Sequence, residues 1–469
     1  MILDGMGLLC GGEEAPETGL GIREDLRTPE TRLYSDGVVV GEEGPVIVPP
    51  HSTYQRHQGT PFLDTAFGDL AGAHDATPEE IRAVRADVEH LDLPGRSGPY
   101  ADMTETALAD IAAVCFPNGA AVAAASPYWR HVWPRDASFM AAALTLVGRR
   151  DQAGRILRYL AHVQESDGTW QARYLPDGSG RVPDARGTQL DGNGWFLWAT
   201  WLLLSETVSN GAPDLMTELW AAARRALVAA ILATEHESGV VTPSQDFWEI
   251  DLDEPTLGVA APLLLALRTG AGLALAAGDD ALATTAHERA VDLARAIDAQ
   301  FSPGYPRRLG PGGEPDASVA FLLPPFAPAR GHIADAWQSA LERMRLPNGG
   351  LKPGVEWPDD ETAWTPQTSL FAMTASYLGE EKTSERLLHW LDSHRTRLGS
   401  LPEKVTAGGR PAAVAPLPLT GATVLLALGA REGRRLPTPD DPVLTSRPLH
   451  RTGSRTRQDT SVTDDNLER

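Results

Sequence analysis

Two glutamates lie where an acid and a base could work together. Glu249 ends the segment Gln245-Asp246-Phe247-Trp248-Glu249, and Glu403 sits in Leu401-Pro402-Glu403-Lys404. Each segment leads into a strongly apolar stretch. Opposed carboxyls with room for a water between them, roughly 6.5–9.5 Å apart, are the apparatus of inverting glycoside hydrolysis. Trp248, with Asp246 and Asp251 near it, would raise the pKa of Glu249, as an acid requires, and Lys404 would keep Glu403 ionised, as a base requires. In a chain this acidic, most loop glutamates are simply solvated; placement alone singles these two out. Trp133-Pro134-Arg135-Asp136 sets a donor beside an acceptor, a clamp for vicinal hydroxyls. Asp136 could equally cap a helix that begins at Ala137. Gln189-Leu190-Asp191-Gly192 carries the same ambiguity.

The elements that must position these residues follow from hydrophobic periodicity. Amphipathic helices are expected near 105–114, 151–164, 214–235, 280–300, 331–345 and 382–395. Helices apolar nearly all round are expected near 137–147, 192–204, 255–275, 316–323, 366–378 and 419–430, with Pro324 and Pro325 stopping the fourth early. Six outer and six inner helices in alternation predict an all-α (α/α)6 barrel. No repeat of residue identity accompanies the repeated pattern. The outer-to-inner links are the long ones, and Glu249 and Glu403 fall on the third and sixth, opposite each other over one pocket. Trp129, Trp133, Trp170, Trp248, Trp357 and Trp364, half of the 12 tryptophans, also lie on these links. Aromatic rings beside carboxylates and arginine suit a sugar.

The chain has 469 residues, 42% hydrophobic and 22% charged, with a net charge of -22. That charge excludes nucleic acid and anionic membranes as partners. Cys10 and Cys115 form no disulfide framework. The first residues do not read as a secretion signal, and the longest apolar runs carry Pro, Arg or Gly, so the expectation is a cytoplasmic protein. The 12 histidines offer no metal set, and the glycine clusters at 309–313 and 348–350 lack a phosphate-loop pattern, so no cofactor is expected. Residues 1–100 read as an N-terminal segment with short strands at 32–34, 37–40 and 45–48 and a loose stretch over 1–30. The barrel is expected over 101–436 and a disordered tail over 437–469.

Together the motifs resemble the catalytic domain of family-15 glycoside hydrolases: glucoamylase, glucodextranase, isomaltose glucohydrolase and a trehalase branch. The resemblance covers about residues 105–432 and rests on the stretch ending Trp133-Pro134-Arg135-Asp136, on Gln164–Trp170, on Gln189–Gly192, on Trp248-Glu249 and on Pro402-Glu403. It implies that Glu249 is the general acid and Glu403 the general base. It implies that Arg135, Asp136 and Trp133 hold a terminal glucose, with Trp248, Asp191 and Trp364 around it. Lys352 stands about where the family has a sugar-binding arginine. Tyr128 takes the place of a family tyrosine only if its loop bulges, because Trp129 holds the matching position. Ile250 replaces a second acid, which leaves the linkage open and would give the next sugar an apolar wall. The implied activity is exo-acting, inverting hydrolysis of short α-glucans from non-reducing ends, of glucoamylase type with α-1,6 activity open. The alternatives are an α,α-trehalase or a non-catalytic carbohydrate-binding protein on the same barrel.

Overall fold

The structure is a computed structural model that describes residues 33–208, 213–250 and 252–440. The stretch 1–30, Cys10, Asp251 and the tail beyond residue 440 lie outside the described residues. The chain opens with an antiparallel hairpin, β1 (Gly37–Gly41) and β2 (Gly44–Val48). Helix α1 (Pro78–His90) follows, which the sequence reading did not anticipate. Its start is fixed by a reciprocal cap, in which Thr77 accepts from the Glu80 N–H and Glu80 accepts from the Thr77 N–H.

From there helices alternate: α2 (Ala101–Val114), α3 (Pro134–Leu146), α4 (Arg150–His162), α5 (Asp191–Val208), α6 (Pro213–Ala233), α7 (Leu257–Ala277), α8 (Asp280–Phe301), a 3-10 helix at Ala317–Leu322, α9 (Gly331–Met344), α10 (Thr365–Leu378), α11 (Glu381–Ser393) and α12 (Pro418–Arg431). The inner elements contact one another in sequence: α3, α5, α7, the 3-10 helix, α10, α12, and α12 closes on α3. The other six surround them, which makes an (α/α)6 barrel. The outer helices are two-faced. In α4, Ala153, Ile156, Leu157 and Leu160 are buried while Asp151, Arg155 and Arg158 are exposed. The inner ones have no wet face; α7 is buried at every residue from Leu257 to Leu267. By length and composition α7 could cross a membrane, but most of it is buried inside the protein.

The fourth inner element departs from expectation. It is a single 3-10 helix whose start is held by Asp316, which accepts from the Ser318 N–H at 2.9 Å. Past Pro324 and Pro325 the chain folds back, and Phe326 fills the ring among Phe139, Trp195, Trp198 and Phe321, with centroids 5.1–5.9 Å from its own. Aromatic packing substitutes for helix length there.

A repeat of residue identity does exist. Five of the six outer helices end in one turn, in which Gly119, Gly168, Gly239, Gly349 or Gly399 adopts φ between 72° and 94°. Each donates its N–H to the carbonyl three residues back at 2.9–3.0 Å. In four of them the preceding Asn118, Asp167, Ser238 or Asn348 accepts from the N–H just past the glycine. A Cβ on Gly119 or Gly168 would stand 2.2 or 2.3 Å from the carbonyl oxygen of Arg155 or Arg225. Each of those turns is thus wedged against the next outer helix. Only α8 ends otherwise, at Ser302-Pro303-Gly304-Tyr305, just ahead of the short inner element.

The N-terminal segment pins two of the long links. Ser35 Oγ donates to the Ala415 carbonyl at 2.7 Å, Thr396 Oγ1 to the Asp36 carbonyl, and Arg130 to the Pro45 carbonyl.

Candidate active site

The long links gather at one end of the ring around a cavity of about 1060 Å³, its open mouth included, the size of a small-molecule site. Phe139 and Phe321 contribute to its inner lining, and Trp129, Trp133, Trp248, Trp357 and Trp364 stand around it. Glu249 and Glu403 both line it, as do Arg135 and Asp136.

Glu249 is presented by a tight turn. Asp246 is fully buried and accepts two bonds from Arg307, each 2.9 Å. It also accepts from the Trp248 N–H, while the Glu249 N–H returns to the Asp246 carbonyl at 2.9 Å. The chain then passes through φ 55° at Glu249, a left-handed conformation that costs a non-glycine residue about 1–2 kcal/mol. The hydrogen bonds of the turn hold this conformation, which places the carboxyl at the cavity wall. Trp133 Nε1 donates to Glu249 Oε1 at 2.8 Å, and Arg186 meets Oε2. Of the negative neighbours expected to keep Glu249 protonated, Asp246 is paired with Arg307, and Asp251 lies outside the described residues. Arg307 neutralises Asp246, and the guanidinium of Arg186 favours the ionised carboxylate.

Glu403 is held from both sides by a small antiparallel sheet, β3 (Ala363–Trp364), β4 (Lys404–Val405) and β5 (Pro411–Ala412). Its carbonyl accepts from the Thr365 N–H at 3.0 Å, and its N–H reaches the Val414 carbonyl at 2.8 Å. Glu403 is only 7% exposed, and its Oε2 is buried without a protein partner. Burial raises its pKa, Lys404 opposes this, and Asp136 adds to the rise. Lys404 thus acts in the expected direction, but burial outweighs it. The Lys404 ammonium lies 4.2 Å from the Trp364 ring centroid, where the ring shares its charge.

Asp136 is not an N-cap. The helix begins at Pro134, so Asp136 lies inside the first turn. Its side chain lies 3.6 Å from Arg135. Asp191 stays out of the cavity but accepts from Arg135 Nη1 at 3.0 Å and from Trp195 Nε1 at 3.0 Å. It orients the arginine rather than lining the site. Trp248 donates to Asp316 at 3.0 Å beneath the Arg307 guanidinium.

Two further predicted contacts do not reach the cavity. Lys352 turns to Asp360 and the Trp357 carbonyl, and Pro353 lines the wall in its place. Tyr128 packs against the cluster that holds Trp129, and Trp129 lines the site in its place. Ile250 is likewise absent from the lining. Sequence reasoning missed Arg186, Arg307 and Asp316, single charges on long links with no local pattern to mark them. It also missed Gln367, whose Oε1 is buried without a partner at the cavity wall. No group of His, Cys, Asp and Glu among the described residues could hold a metal.

No protein-family profile matches the chain. Over 99 residues it is 34% identical to an uncharacterized glycosyl hydrolase of Methanocaldococcus jannaschii, a match spanning 21% of this chain and 16% of that protein. Among solved structures, a glycosidase variant in complex with glucose superposes with a TM-score of 0.59 at 18% identity, covering 71% of this chain and 96% of that one. A bacterial glucoamylase complexed with acarbose gives 0.60 at 16% identity, covering 78% and 61%. The glucoamylase of Saccharomycopsis fibuligera gives 0.62 at 12% identity, covering 73% and 97%. The fold is that of the glucoamylases, and the family-15 resemblance of the loop motifs agrees with it.

Proposed function

We propose that this protein is an exo-acting, inverting α-glucoside hydrolase of glucoamylase type that takes short, soluble α-glucans. The observation that carries this is the meeting of Glu249 and Glu403, from the third and sixth long links, at one tryptophan-walled cavity. Similar structures named for glycosidases and glucoamylases, one holding glucose and one acarbose, support a sugar as substrate.

In this reading Arg135 donates to, and Asp136 accepts from, the hydroxyls of the terminal glucose, with the tryptophans against its apolar face. Glu249 gives its proton to the glycosidic oxygen as the bond breaks. Glu403 takes a proton from the attacking water on the opposite face of the ring, so configuration inverts. No cofactor enters. An α-1,6 linkage or trehalose would be handled by the same groups.

The test is glucose release from maltose, isomaltose, trehalose and maltotriose, with proton NMR of the first product. β-Glucose is expected; α-glucose would contradict the mechanism. Glu403→Gln should abolish nearly all turnover. Glu249→Gln should lower it about 10²–10⁴-fold, and less on α-glucosyl fluoride, whose leaving group needs little protonation.

A further inference from the structure

Helix α10 carries seven polar side chains in a buried setting, and six of them have partners inside the protein. Thr365 donates to the Pro402 carbonyl, Thr368 to Trp364, Ser369 to Pro366, Thr374 to Leu370 and Ser376 to Ala372, while the Tyr377 hydroxyl accepts from the Leu436 N–H. Gln367 differs. It is 9% exposed, its Oε1 is buried without a partner, and among the described residues nothing bonds its Nε2. It lines the cavity, with Pro366 before it and Leu370 one turn further along. A buried amide with no bond of its own is destabilising. On a helix whose other polar groups are all satisfied, packing gives no reason for it.

The level of this amide in the ring follows from the helices. The inner helices start at the end where the long links gather, so equal positions along them lie at equal depth. Gln367 is the third residue of α10, as Asp136 is the third of α3, and each start carries a proline in its first turn. Three residues on, Phe139 follows Asp136 as Leu370 follows Gln367, and all four line the cavity. Helix α12 touches both α3 and α10. The Thr365 N–H, two residues before Gln367, donates to the Glu403 carbonyl at 3.0 Å, so the amide rises from the wall that carries Glu403.

We propose that Gln367 is a further substrate-binding residue, which holds the same sugar unit as Asp136; this rests on the hydrolase reading above. A carboxamide sets a donor beside an acceptor, the pattern that vicinal hydroxyls complement. Rotation of the amide about its last bond brings Oε1 off the wall, so that Nε2 donates to one hydroxyl oxygen and Oε1 accepts from the next hydroxyl. The sugar thereby supplies the partners that the protein withholds. Being neutral, the amide adds a second grip at this depth without a further charge beside Asp136 and Glu403.

The experiment titrates the wild type and Gln367→Met with glucose and with each of its singly deoxygenated analogues. Binding is read from the fluorescence of the tryptophans around the cavity, so no turnover is needed, and thermal unfolding is followed in parallel. Gln367→Met keeps the length of the side chain and removes both amide atoms. It should bind glucose about tenfold more weakly. On an analogue that lacks a hydroxyl the amide reads, wild type and variant should bind more nearly alike, and on the other analogues the full difference should persist. Without sugar the variant should melt no lower than the wild type, because an unpaired buried amide has given way to an apolar group. A glutamine with a merely structural role would show the opposite. Unchanged affinity for glucose, a loss that is the same on every analogue, or a lower melting temperature overturns the assignment. A wild type that neither binds glucose nor cleaves maltose would instead overturn the hydrolase reading itself.

Discussion

At Asp136, burial pushes the carboxyl up, Arg135 holds it down and Asp191 pushes it up again, for a net pKa of about 6. Glu403 is raised as well, by burial first and with Asp136 among the causes. In the proposed reaction both must be ionised, one to accept a sugar hydroxyl and the other to activate water. The kcat/KM of the free enzyme should therefore fall as pH drops through about 6, well above the ordinary carboxylate range. Two interacting groups should make the limb steeper than a single ionisation. In Asp136→Asn the remaining limb should move to lower pH, since a negative neighbour of Glu403 is gone. A wild-type acid limb near 4 would show that these carboxyls are better hydrated than their burial implies. The same shift acts on stability with a definite sign. Between the ordinary value of 3.8 and about 6, the folded chain keeps a proton that the unfolded chain has given up. The contribution of this group therefore falls as pH rises across that window and is constant above it.

At the scale of elements, the recurring glycine turn separates two kinds of glycine that share one backbone conformation. Gly168 (φ 88°) would press a Cβ to 2.3 Å from the Arg225 carbonyl oxygen, whereas Gly278 (φ 82°), after α7, has nothing within 4 Å. Gly278→Ala should cost only the left-handed strain, about 1 kcal/mol, and Gly168→Ala clearly more, because backbone must shift. Thermal unfolding of the two variants decides it; equal losses would mean that the turn is not wedged. Helix placement was legible in the sequence because outer helices show one wet face and inner ones none. The fourth inner element was not, because a run of five apolar residues, Val319 to Leu323, ahead of two prolines fits a helix of either pitch, and only Phe326 folding back into the ring distinguishes them. At the site, Arg135, Asp136 and Trp248 could be read from motifs on helix starts and turns. Arg186 could not, since its partner Glu249 lies 63 positions along the chain in a different loop. The surroundings of the two glutamates were only partly legible for the same reason: Lys404 does lower the Glu403 pKa, but the burial that outweighs it and the arginine that meets Glu249 come from distant parts of the chain.

At the scale of the whole molecule, the barrel is closed by non-covalent contacts alone. The last helix, α12, lies against both α2 and α3, and Glu432 just beyond it accepts from the Gly95 N–H at 2.7 Å. The ring as a packed object therefore has no first or last member; chain order is imposed on it by where the peptide happens to be cut. A circular permutant should then be tolerated, with new termini at Gly278-Asp279 and residues 440 and 33 joined by a long Gly/Ser linker. Small, exposed turn positions are where such openings succeed. Its far-ultraviolet circular dichroism should match that of the parent, and cooperative thermal unfolding should survive. Loss of cooperativity would mean that the order in which the helices leave the ribosome, and not their final contacts alone, is what assembles them.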